Sequence, residues 1–105
     1  MAAPVPFAGV EWIAKTADVG VRVNTLAPGQ STPWHLHSVV TDNIFGLDTG
    51  IEIGLREPDE TLPLPPGARQ EIPPRRVHRV SNRADRPARY LLVQATGPYD
   101  FVEVP

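Results

Sequence analysis

Proline stands at 13 of the 105 positions, about twice its usual share of ~5%. Each proline removes a backbone donor, fixes φ and breaks a helix interior, so this chain has little room for helix. The same excess occurs in disordered chains, but hydrophobic residues at 41% and charged residues at 21% supply enough apolar surface for a core. The length fits one domain spanning residues 1–105. A folded, strand-rich domain is what remains.

Between the prolines the apolar residues recur with a period near two, which is the strand period. Val10–Ile13, Val21–Leu26, Thr32–His37, Asn43–Asp48 and Ile51–Arg56 read as successive strands. Short extended pieces follow at Thr61–Gly67, which runs into a turn, at Arg69–Ile72 and at Val77–Val80, then Tyr90–Ala95 as the most apolar strand and Tyr99–Val104 at the end. Turn signals separate them every ~8–12 residues, the spacing of an all-β sandwich or barrel. Proline and glycine mark the boundaries, as at Ala27-Pro28-Gly29-Gln30.

Several function classes drop out on composition. The chain has no cysteine, which removes disulfides, thiolate metal sites and cysteine nucleophiles together. A small domain without staples is expected in the cytoplasm. The opening residues lack the basic start and apolar run of a signal peptide. No run approaches the ~18 apolar residues of a membrane span. A formal charge of −2 gives no electrostatic footprint for nucleic acid.

The three histidines carry the chemistry. His35 and His37 are two apart on an expected strand, so both imidazoles share one face while Trp34 and Leu36 share the other. Two imidazoles on one face are half of a metal site, and His78, on a neighbouring short strand, is the one histidine left to complete it. Imidazole donors suit iron, nickel, copper or zinc rather than magnesium or calcium.

The spacing around these histidines resembles the two motifs of the cupin superfamily. Its first motif runs Gly, five residues, His-x-His, three or four residues, Glu, six residues, Gly. Here Gly29 is followed by Gln30-Ser-Thr-Pro-Trp34, then His35-Leu36-His37, and the motif ends at Gly50. The second runs Gly, five residues, Pro-x-Gly, two residues, His, three residues, Asn. Here Gly67 precedes Ala68-Arg-Gln-Glu-Ile72, then Pro73-Pro74-Arg75, Arg76-Val77, His78, Arg79-Val-Ser81 and Asn82, with Arg75 in place of the glycine.

The resemblance implies an all-β cupin double-stranded β-helix, a jelly-roll barrel with a pocket between its sheets. It also implies one divalent transition metal per chain (Fe, Mn, Ni or Zn) held by His35, His37 and His78. Pairing into a homodimer through the N-terminal strand at Val10–Ile13 is a further implication. The first motif's glutamate is missing. Counting back from Gly50 places its position on Asn43, whereas counting forward from His37 places it on Asp42. Neighbours on a strand point oppositely, so one of the two faces the site. The count from Gly50 is favoured, because Phe45 and Leu47 then take the family's apolar packing positions; Asp42 is the alternative fourth ligand.

Other features have plainer readings. Seven arginines between Arg69 and Arg89 read as a solvated face offset by Glu71 and Asp85, with Arg75 the one candidate for ligand contact. Trp34, Tyr90, Tyr99 and Phe101 read as packing or interface residues, and Asn82 as a turn residue. Two functions are in contention: a metal-dependent enzyme, dioxygenase- or isomerase-like, acting on a small oxygenated organic molecule, and a non-catalytic small-ligand or sensor module. A third possibility is a pocket whose histidines bind no metal.

Overall fold

The computed structural model describes residues 7–105; residues 1–6, read above for a leader, lie outside the described residues. Ten strands follow in order: β1 (Gly9–Lys15), β2 (Val19–Leu26), β3 (His35–Leu36), β4 (Thr41–Gly46), β5 (Ile51–Leu55), β6 (Glu60–Pro63), β7 (Arg69–Ile72), β8 (His78–Asn82), β9 (Ala88–Ala95) and β10 (Val102–Glu103). They form two five-stranded sheets of order β1-β2-β9-β4-β7 and β10-β3-β8-β5-β6, with every ladder antiparallel. This is the all-β sandwich expected from the alternation and turn spacing, in the jelly-roll form that the resemblance implies.

Strand alternation builds the interior. On β9 the side chains of Ala88, Tyr90 and Leu92 turn inward, and on β5 those of Ile51, Ile53 and Leu55 do the same. Leu26, Ile44, Leu64, Ile72 and Val80 close the core between the sheets. Further along the same strands the inward residues become polar. Ile44 gives way to Asp42 on β4, Leu92 to Gln94 on β9, and Val80 to His78 on β8. Register makes these changes coincide, since Asp42 pairs with Gln94 and Ile44 with Leu92. One end of the interior is therefore a core and the other a polar chamber.

Two expected strands are much shorter than the sequence pattern. Thr32–His37 pairs as a strand over His35–Leu36, and Tyr99–Val104 over Val102–Glu103. Pro33 has no amide hydrogen for the ladder, which limits the first. The two short strands pair with each other, Val102 opposite Leu36 and Glu103 opposite His35. The C-terminal segment is thereby drawn across the polar chamber.

Candidate metal centre

The ladder between β3 and β8 sets His35 directly opposite His78. His37 lies two residues after His35, and the alternation returns it to the same inner face. All three are buried. Their ring centroids lie 4.3 Å apart for His35 and His78, 5.0 Å for His35 and His37, and 5.4 Å for His37 and His78. One ring nitrogen from each lies within 4.8 Å of the others.

The outer nitrogen of every ring has a carbonyl partner. His35 Nδ1 lies 2.7 Å from the Pro33 oxygen, His37 Nδ1 2.6 Å from that of Asp100, and His78 Nδ1 2.8 Å from that of Arg76. A carbonyl only accepts, so each Nδ1 carries the hydrogen and each neutral ring keeps its Nε2 lone pair for the interior. Outer-face hydrogen bonding of this kind orients metal-ligating histidines and raises their basicity. Three buried Nε2 atoms converging this closely suit a cation, which would displace any proton they share with Asp42, so the donor set fits a divalent transition metal.

Asp42, not Asn43, faces the histidines, and this corrects the reading that favoured the count from Gly50. Asp42 is 2% exposed, and its Oδ2 lies 3.1 Å from Nε2 of both His37 and His78. Gln94 Nε2 donates to its other oxygen at 3.0 Å. Asn43 points the other way and accepts a hydrogen bond from Arg69 at the surface. Phe45 shares Asn43's outer face, while Ile44 packs inward. The additional residue lies after the strand: the amides of both Leu47 and Asp48 donate to the Arg89 carbonyl, a bulge-like irregularity that absorbs one residue before Gly50.

Burial opposes the Asp42 charge, but hydrogen bonds from His37 and His78 outweigh it and hold the carboxyl well below the usual carboxylate range. Burial also opposes charge on His37, but the hydrogen bond with Asp42 dominates and raises its pKa above the ordinary 6.5. Burial and the neighbouring His78 ring push His35 down to about 3. The site thus combines an ionised carboxylate, one ring inclined to hold a proton and one that stays neutral.

The histidines open onto a cavity of about 720 Å³ between the sheets. Phe101 stacks on His35 at 4.2 Å, and Tyr99 approaches His37 at 5.4 Å, so two residues read as packing also line the pocket. Arg22, Asn24 and Gln94 line it too, and sequence reasoning missed all three. Gln94 was the most accessible to inference, being a polar residue in phase with Tyr90 and Leu92 on the most apolar strand. Arg75 is exposed and stands outside the pocket lining, so it does not fill the ligand-contact role considered for it. Trp34 lies on the outer face between the guanidinium groups of Arg56 and Arg79. Asn82 is a buried turn anchor, its amide donating to the carbonyls of Leu26, Ala27 and Arg86. Arg69 and Arg86 lie near Glu71 and Asp85, and Arg83 and Arg89 pair with Glu52 and Asp48, as a solvated face requires.

Two antiparallel sheets enclosing a histidine-lined pocket define a jelly-roll protein with a candidate metal centre. The chain belongs to the cupin domain family, whose profile matches residues 22–94, more than half of its length. Among solved structures it is similar to a protein from Thermus thermophilus, with 23% identity, 86% of this chain and 84% of that one covered, and a TM-score of 0.73. A double-stranded β-helix protein from Klebsiella pneumoniae is similar at 23% identity, covering 90% and 81%, with a TM-score of 0.74. An oxalate oxidase in complex with the substrate analogue glycolate matches at 17% identity and a TM-score of 0.80, over all of this chain and 60% of that one. Identities this low show the fold alone. A search of curated proteins finds no match. No helix among the described residues is long and apolar enough to cross a membrane.

Proposed function

We propose that this chain is a metal-dependent cupin enzyme acting on a small oxygenated organic molecule, with His35, His37 and His78 holding one divalent iron, manganese, nickel or zinc ion. The observation that carries this reading is the convergence of three buried imidazoles whose outer nitrogens are all committed to carbonyls. A bound ion would supply Lewis-acid polarisation of a substrate oxygen and, as iron or manganese, a redox centre. In this reading Asp42 serves as a fourth ligand or as an acceptor for a substrate proton, supported by its position beside His37 and His78, and Gln94 holds its carboxylate in position. The stacked Phe101 fixes the plane of His35, and Ile44, Leu92 and Val80 keep the inner wall apolar.

The test is metal content after reconstitution with Fe(II), Mn(II), Ni(II) and Zn(II) in turn. The expected result is about one ion per chain for at least one metal, lost in His78→Ala with the β-sheet circular dichroism retained. Occupancy below about a third for all four would overturn the reading. Oxygen uptake or product formation across diketones, thiols, keto acids and sugars then separates an enzyme from a non-catalytic binding module.

A homodimer through β1 belongs to the same proposal. This strand is a sheet edge whose Val10, Trp12 and Ile13 are 46–58% exposed, and an open apolar edge invites pairing. Light scattering on the chain and on Ile13→Lys, expected to be a dimer and a monomer respectively, decides it.

A further inference from the structure

The wall facing the histidines carries two polar groups that the proposed metal centre does not use. Arg22 and Asn24 lie two apart on β2, in the sheet opposite β3 and β8, so both project from one face into the same cavity. Arg22 Nε is buried and has no hydrogen-bond partner among the described residues, and the same holds for Oδ1 of Asn24, a residue with 0% exposure. Buried polar atoms are rarely left unpaired, and those that are call for an explanation such as a bound group. The Asn24 amide bonds to the Tyr90 hydroxyl at 3.2 Å through its other end. Whichever way round the amide sits, one of its two polar atoms remains free for a ligand.

Arg22 is held in place without being neutralised. Its guanidinium stacks over Trp12 at 5.0 Å and approaches Tyr99 at 5.7 Å, while Lys15 covers Trp12 as a second cation at 4.7 Å. No carboxylate pairs with Arg22 among the described residues. The two acids lining the cavity are engaged elsewhere: Asp42 with His37, His78 and Gln94, and Asp100 with the Ser38 amide at 2.7 Å. The side-chain hydrogen bond of Arg22 with Tyr99 leaves the charge without a carboxylate, and an immobilised guanidinium of that kind is a fork shaped for one.

Resting on the metal-centre reading for the far end of the ligand, we infer that Arg22 and Asn24 form an anchoring subsite for a small carboxylic acid. The carboxylate seats on Arg22, Asn24 hydrogen-bonds a polar group beside it, and an apolar body lies along Ile44, Tyr90 and Leu92 toward the histidines. A cavity of about 720 Å³ accommodates an acid considerably larger than two carbons.

The test uses 3-phenylpropionate and hexanoate as probes, each beside its neutral primary amide, titrated calorimetrically into the intact protein with and without prior chelation. The expected result is at least a tenfold preference for the acid over its amide. Arg22→Met should abolish that preference with metal content unchanged, and Arg22→Lys should restore part of it. Equal affinity for acid and amide in the parent protein, no binding of either acid at millimolar concentration, or a preference surviving in Arg22→Met would each overturn the subsite. A preference that depends on Arg22 in protein unable to take up any metal would support the subsite and sink the metal reading, so the two failures are distinguishable.

Discussion

Replacing Asp42 by asparagine keeps the side chain's shape and removes its charge, so it isolates what the carboxylate contributes. In metal-free protein that carboxylate lies 3.1 Å from Nε2 of both His37 and His78 and accepts from Gln94 at 3.0 Å. A hydrogen bond to a charged group contributes about 1.5–3 kcal/mol, and breaking a buried pair by removing one partner costs about 3–5 kcal/mol. Asparagine keeps an acceptor for the Gln94 amide but turns its NH2 toward the rings, so it can no longer accept from a protonated imidazole. The expected loss is about 3 kcal/mol, or a fall in Tm of about 10–20 °C for a domain of this size. His37 should lose the partner that raises its pKa and titrate below 6.5. Calorimetry gives the first number and the pH dependence of the His37 imidazole nitrogen shifts gives the second, both on chelator-treated protein. Asn43→Asp is the control, expected within about 0.5 kcal/mol because that side chain meets Arg69 at the surface. Should Asp42→Asn leave both readouts unchanged, or should Asn43→Asp move His37 instead, the assignment of Asp42 to the inner face is wrong.

Three further outcomes follow from the same structure. Arg75 occupies the left-handed region at φ 69°, a strain of about 1–2 kcal/mol for a residue with a Cβ, whereas glycine costs back about 0.5–1 kcal/mol in chain entropy. Arg75→Gly should therefore stabilise the fold by about 0.5–1 kcal/mol in a denaturant titration, with metal content unchanged. Ile53→Ala removes a fully buried side chain from the middle of β5 and should cost about 2–5 kcal/mol in the same assay. The pH profile of metal-free stability should peak near 6.5. Below it, His35, held down to about 3, stays neutral in the folded chain while its unfolded counterpart takes up a proton, so stability falls by about 1.4 kcal/mol per unit. Above it, the stability that protonated His37 contributes is lost as pH rises through its elevated pKa; a flat Tm series across pH 5–8 would contradict this reading.

Much of the site was readable because metal-binding chemistry is concentrated in few residue types and strand alternation is rigid. His35 and His37 had to share a face, and the motif spacing brought in His78. What spacing could not settle was a shift of one residue. Asp42 and Asn43 are adjacent, so moving the additional residue from the loop before β4 to the turn after it exchanges which side chain points inward. The bulge at Leu47 and Asp48 decides this, and it depends on a hydrogen bond to Arg89 more than forty residues away. Arg22 was hidden for another reason. In Val21-Arg22-Val23-Asn24-Thr25-Leu26 the alternation suits Val21 and Val23 as the inner set, yet Asn24 and Leu26 are the fully buried residues.

That inversion on β2 has a physical origin that also explains the division of the interior. Leu26 must face the core because its end of β2 pairs with Ala88 on β9, and the strand period then carries Asn24 and Arg22 inward whatever their polarity. A polar residue carried inward this way costs free energy unless a partner meets it there. Asp42 meets that condition through His37, His78 and Gln94, and Asn82 through three carbonyls. Arg22 and Asn24 each keep one atom that does not. The strands that build the core are thus extended, at the same register, into a chamber whose polar residues are in part satisfied from within. The unsatisfied remainder is where a ligand has most to offer.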